Sequence, residues 1–111
     1  MNEKLANKKC VPCEGGTLPL TEEETNKLLA QISANWHLIG NKIFAEFKFK
    51  NFKEAMAFVN KVAAIAESEG HHPDIHINYS KVKFELWTHA IGGLSINDYI
   101  LASKIDQISK T

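Results

Sequence analysis

His71-His72-Pro73 and Thr88-His89 place three imidazoles in a chain of 111 residues that carries few other reactive groups. Imidazole, with an unperturbed pKa of about 6.5, both gives and takes a proton near neutrality, so such a group points to general acid-base chemistry. Metal ligation is the rival chemistry for the same side chains. Asp98 follows His89 in sequence and could reach back to fix that imidazole's tautomer. His72 and His76 mimic metal-ligand spacing, but Pro73 forbids the helix that would bring both to one face.

Cys10 and Cys13 form a lone C-x-x-C, which is half a zinc site or a weak redox motif. No second pair exists to complete four ligands, although histidines could contribute. Nothing before Cys10 reads as the strand that a thioredoxin-like pair would follow. Each candidate also has a purely structural reading. An imidazole just past a helix end can bond the last carbonyls, and Asp98 can serve only as a cap. Trp36 and Trp87 could stack on a planar heterocycle or form part of the core. His37 and His76 read as surface strand residues. No G-x-S-x-G, P-loop, dinucleotide glycine fingerprint or EF-hand loop occurs, which disfavours covalent catalysis and phosphate-cofactor chemistry.

The elements that must position these residues follow from periodicity and caps. Residues 1–19 are polar, contain Gly15-Gly16 and Pro19, and read as a flexible or surface-hugging arm; the folded domain is expected over 20–111. Thr21 with Glu24 is a capping-box signature, and Leu28, Leu29 and Ile32 share a face, predicting a helix over about 22–33. Trp36 lies at its exit. His37-Leu38-Ile39, the turn Gly40-Asn41 and the alternation of Ile43, Ala45, Phe47 and Phe49 predict a β-hairpin. Asn51 caps a second helix whose apolar stripe runs through Phe52, Ala55, Met56, Val59, Val62, Ala63 and Ala66, the longest in the chain. Gly70 is its left-handed stop, and Pro73 prevents its resumption. Residues 75–79 and 82–88 form a second hairpin around Ser80-Lys81. Gly92-Gly93 breaks the chain again, and Ser95 with Asp98 opens a last helix through Tyr99, Ile100, Ala102 and Ile105.

The order is αββαββα, an α+β fold in which a four-stranded antiparallel sheet carries helices on one face. If the second hairpin pairs as expected, its start and end bring His71, His72 and His89 to one end of the sheet. Uncovered strand edges make a symmetric oligomer plausible. The hydrophobic fraction of 44% and charged fraction of 23% are those of an ordinary globular domain, and 13 basic against 13 acidic residues leave no net field to attract nucleic acid. No apolar run reaches the roughly 20 residues of a membrane span, and Met1-Asn2-Glu3-Lys4-Leu5 lacks a signal-peptide core. A cytoplasmic enzyme or binding module is the expectation.

The stretch Glu67-Ser68-Glu69-Gly70-His71-His72-Pro73, then Tyr79-Ser80-Lys81-Val82, Thr88-His89 and Gly93-Leu94-Ser95-Ile96-Asn97-Asp98, closely resembles the pterin-4a-carbinolamine dehydratase family over Leu20 to Ile108. The resemblance implies a four-stranded antiparallel sheet with helices on one face, assembled as a dimer or tetramer. It implies dehydration of a 4a-hydroxytetrahydropterin, the product of aromatic amino-acid hydroxylases, to quinonoid dihydropterin and water, with no metal or redox cofactor. By matching positions, His71, His72, His89 and Asp98 form the expected catalytic set, with His72 and His89 transferring protons, His71 holding the pterin and Asp98 orienting a histidine. Glu67 and Thr88 would border the site and Trp36 would lie at its rim. The Cys10-Cys13 arm lies outside the motif and resembles an extension found in some bacterial relatives. Family members are also known as dimerisation cofactors of a homeodomain transcription factor, so a non-enzymatic interaction module is the alternative. A metal protein using Cys10, Cys13 and histidines is a third reading.

Overall fold

The computed structural model describes residues 5–10 and 18–109. Its elements run α1 (Glu22–Leu29), β1 (His37–Ile39), β2 (Lys42–Lys48), α2 (Phe52–Glu69), β3 (Asp74–Asn78), β4 (Lys81–Leu86) and α3 (Ile96–Ser109), with short 3-10 turns at Leu5–Asn7 and His89–Ile91. The sheet is antiparallel throughout, in the order β1-β2-β4-β3. This is the expected α+β arrangement. Ile43, Ala45, Val82, Phe84 and Leu86 alternate onto the buried face, while Glu46, Lys83, Glu85 and His76 occupy the other. Against the buried face lie Ala55, Phe58, Val59, Val62 and Ala66 of α2 and Tyr99, Leu101, Ala102 and Ile105 of α3. Phe47, Phe58 and Phe84 meet at centroid distances of 5.1 to 5.9 Å, joining sheet to α2.

The caps appear where the sequence puts them. Thr21 and Glu24 form a complete capping box, and Asn51 accepts from the Glu54 N–H. At the far end of α2, Gly70 adopts φ 65°. Its N–H donates to the Glu67 carbonyl and that of His71 to the Ala66 carbonyl, a Schellman closure that fixes how His71 and His72 leave the helix.

Three boundaries differ from the sequence reading. Helix α1 stops at Leu29 because Gln31 and Ile32 bond back only three residues, and the Ser33 N–H and hydroxyl are taken by the Asp106 carboxylate, each at 3.0 Å. The β3–β4 turn is Tyr79-Ser80, one residue earlier than expected; the pairing of Asn78 with Lys81 leaves a two-residue loop with Tyr79 at φ 52°. Strand β4 ends at Leu86, since the Thr88 N–H turns to the Gly93 carbonyl at 2.8 Å and His89 begins the 3-10 turn that this bridge closes.

The described part of the N-terminal arm is seated. Leu5 is buried in the core, and Lys104 of α3 donates to the Ala6 carbonyl at 2.9 Å. Among the described residues no helix is long and apolar enough to cross a membrane.

Candidate active site

Antiparallel pairing of β3 with β4 sets Asp74 opposite Glu85, so the residues before β3 and after β4 emerge side by side. A cleft of about 520 Å³ opens there, between the end of α2, the start of β3, the Trp87–Ala90 segment and the start of α3. His71, His72 and His89 all line it, together with Glu69, Trp87 and Thr88. Among the described residues no three His, Cys, Asp or Glu side chains gather as a metal-binding group, and Cys13 lies outside those residues.

The three imidazoles are held differently. His71 is 12% exposed, and its Nε2–H donates to Asp98 Oδ1 at 2.6 Å. Asp98 is fully buried, and its other oxygen, Oδ2, accepts from the Thr88 hydroxyl at 2.9 Å and the Ser95 N–H at 3.0 Å. Because the Thr88 proton is committed to Asp98, the Ser95 hydroxyl donates to Thr88 at 2.8 Å, and Ser95 Oγ in turn accepts from the Asn97 N–H. The first turn of α3, the β4 exit and the α2 exit are thus tied to one carboxylate. His72 is exposed, with Nε2 3.4 Å from Glu67 Oε2. His89 is exposed and stacks on Trp87, with centroids 4.0 Å apart and planes 28° apart.

Several sequence expectations need correction. Asp98 orients His71 rather than His89, because α3 approaches the end of α2 while the Thr88–Gly93 bridge turns His89 outward. Trp36 is not at the cleft rim. It is 3% exposed within the core, where its indole N–H donates to Asp106 Oδ1 at 2.9 Å. Glu67 is 83% exposed and meets only the outer edge of the group through His72. The carboxylate that lines the cleft from α2 is Glu69.

Glu69 was not singled out from sequence. It accepts from the Cys10 N–H at 2.7 Å and lies 3.9 Å from Lys104, so the arm and α3 together fix it. Cys10 Sγ donates to the Asn97 carbonyl at 3.6 Å. Burial, reinforced by the neighbouring Glu69 carboxylate, pushes the Cys10 thiol up to about 12. Burial, with the Asp98 charge beside it, likewise pushes the Tyr99 phenol up to about 12. The Tyr99 hydroxyl is a buried polar atom with no hydrogen-bond partner among the described residues. Asp74 and Asn97 complete the polar lining of the cleft. Their only sequence signal is position, at the first residue of β3 and in the first turn of α3.

Three imidazoles at the mouth of a half-open cleft, one locked by a buried carboxylate and two free to meet solvent or substrate, can give and accept protons on a small planar molecule. A protein of Nitrosomonas eutropha named for pterin-4-alpha-carbinolamine dehydratase is 50% identical over 104 residues, covering 94% of this chain and 92% of its own. A relative of the same name from Rickettsia canadensis is 48% identical over 92% of this chain and 94% of its own. The crystal structure of a transcriptional coactivator/pterin dehydratase from Brucella melitensis superposes with a TM-score of 0.77 at 34% identity, covering 81% of this chain and 97% of that one. A pterin dehydratase-like RuBisCO assembly factor of the alpha-carboxysome, 24% identical, shares the fold with a TM-score of 0.59 over 69% of this chain and 92% of its own. The family model for pterin 4 alpha carbinolamine dehydratase matches residues 18–108, and the chain belongs to that family of hydro-lyases.

Proposed function

We propose that this cleft dehydrates a 4a-hydroxytetrahydropterin to the quinonoid dihydropterin by histidine acid-base catalysis, in support of tetrahydropterin recycling. The observation that carries this reading is the convergence of His71, His72 and His89 on one cleft at the end of the β3–β4 hairpin. Breaking the C4a–O bond requires a proton on the departing hydroxyl, which leaves as water. Forming the C4a=N5 bond requires loss of the N5 proton. One imidazolium supplies the first proton and one neutral imidazole takes the second, so the chain needs no other reactant for the chemistry.

His72 and His89 are the two proton-transfer groups, being exposed at the cleft and not locked to a buried carboxylate. His71, fixed by Asp98, holds the pterin ring; its Nε2–H is spent on the carboxylate, which leaves Nδ1 for the ligand. Thr88 acts through the Asp98 network, and Glu67 acts through His72 at the border of the site. The protein works in the cytoplasm as a homodimer or homotetramer, downstream of a reaction that hydroxylates an aromatic amino acid at the expense of a tetrahydropterin.

Stopped-flow dehydration of freshly generated 4a-hydroxytetrahydropterin tests the assignment. His72→Ala and His89→Ala are each expected to lose about 10²- to 10⁴-fold in rate. Wild-type rates in both would end it. A second reading, a non-enzymatic interaction module, is favoured by the coactivator named for the Brucella structure. Dehydratase-dead variants that still restore function in cells would select it.

A further inference from the structure

Each of the three imidazoles needs something to fix its plane, and two of them have a carboxylate: Asp98 for His71 and Glu67 for His72. His89 has none. Its ring makes no hydrogen bond among the described residues, it stands exposed at the start of the 3-10 turn, and its one directional contact is the face of Trp87. The indole is itself braced. Its Nε1–H points to Asp74 Oδ2 at 3.4 Å, and the Lys42 ammonium lies 5.3 Å from its ring centre. Trp87 is half-buried directly after the last residue of β4, and His89 stands two residues further on, at the start of the 3-10 turn.

We infer that Trp87 is the positioning residue for His89, with the indole face doing for this imidazole what the buried Asp98 carboxylate does for His71. Stacking holds the plane of the ring while leaving both ring nitrogens free. A hydrogen-bonded carboxylate would occupy one of them and favour one tautomer. A proton-transfer imidazole gains from the first arrangement, since either nitrogen can meet the substrate and neither protonation state breaks the contact. Trp87 therefore acts through His89 rather than as a platform for the pterin, because the imidazole stacks on one face of the indole and the Lys42 ammonium lies over the same ring system. The inference rests on the proposed role of His89 in proton transfer.

Trp87→Leu, Trp87→Phe and the double variant Trp87→Leu/His89→Ala, measured with His89→Ala alone, provide the test. Trp87→Leu should lower kcat about 3- to 10-fold, the range set by losing the orienting contact of one aromatic pair, with KM nearly unchanged. Trp87→Phe should restore most of the rate. In the His89→Ala background, Trp87→Leu should cost nothing further. The upfield ring-current shift of the His89 ring protons in the NMR spectrum should vanish in Trp87→Leu, with thermal unfolding recorded to show that the variant is folded. A full rate in Trp87→Leu beside a crippled His89→Ala overturns this inference alone. A rise in KM, or an equal further loss in the His89→Ala background, also overturns it by showing direct contact with the pterin. A wild-type rate in His89→Ala removes the proton-transfer role itself and the inference with it.

Discussion

Replacing Asp98 by Asn changes one atom in the most connected side chain of the site, and the geometry dictates how the network must respond. Oδ2 accepts from the Ser95 N–H, a backbone donor that cannot turn away, and from the Thr88 hydroxyl. An asparagine must therefore keep its carbonyl oxygen in the Oδ2 position and present its NH₂ where Oδ1 meets His71 Nε2 at 2.6 Å. Two donors cannot face each other there, so the neutral His71 ring must move its proton from Nε2 to Nδ1 and accept from the amide. The variant keeps its volume and, with the tautomer exchanged, all three contacts, so its stability should fall by only about 1 to 2 kcal/mol, the cost of exchanging charge-assisted hydrogen bonds for neutral ones. Asp98→Ala strands the Ser95 N–H and the His71 N–H in a buried site and should cost about 3 to 5 kcal/mol. Urea unfolding reads both values, and long-range ¹H–¹⁵N spectra of histidine-labelled protein read the tautomer. The dehydration rate of Asp98→Asn should drop roughly 10²-fold, because the ligand would meet a donor at Nδ1 instead of an acceptor. A folded Asp98→Asn protein whose His71 still carries its proton on Nε2 would refute the reasoning. So would an Asp98→Ala protein destabilised no more than a surface variant.

The orphaned hydroxyl of Tyr99 should make Tyr99→Phe neutral or stabilising, by up to about 1 to 3 kcal/mol, since the substitution removes a buried polar atom that bonds to nothing described. A lower urea midpoint would show that the hydroxyl has a partner. Cys10, with its thiol pushed from 9.0 up to about 12, should react with iodoacetamide near pH 8 about 10³-fold more slowly than an ordinary thiol, measured in a Cys13→Ser protein. The folded state holds that proton more tightly than the unfolded chain does. The contribution of Cys10 to stability is therefore complete below pH 9.0 and is lost as pH rises toward about 12. Alkylation at the rate of a free peptide cysteine would place Cys10 outside the buried contact with Glu69 and Asn97.

What the sequence discloses about this site, and what it hides, divides along one physical line. Asn51, Glu54, Gly70 and the apolar stripe between them are local signals, each answering a need of its own helix, and they place His71 and His72 correctly just past the end of α2. The alternation in β3 and β4 is equally local, and pairing the two strands is enough to carry His89 to the same end of the sheet. The errors about the site residues concern polar partners that come from far along the chain. Nearness in sequence favoured His89 for Asp98, yet its bond goes to His71, 27 residues away. The family resemblance put Trp36 at the rim of the site, but its N–H is claimed by Asp106, 70 residues away, which also shortens α1 through Ser33. Glu67 and Glu69 are two residues apart on one helix and so point about 200° apart around its axis. Glu69 continues the buried stripe of Val59, Val62 and Ala66 at three- and four-residue spacing, whereas its partners Cys10 and Lys104 come from other segments that no pattern within α2 reveals. A carboxylate that caps a helix satisfies donors its own segment supplies, whereas one buried between elements takes whatever donors the packing leaves unpaired, and only the assembled fold fixes which those are.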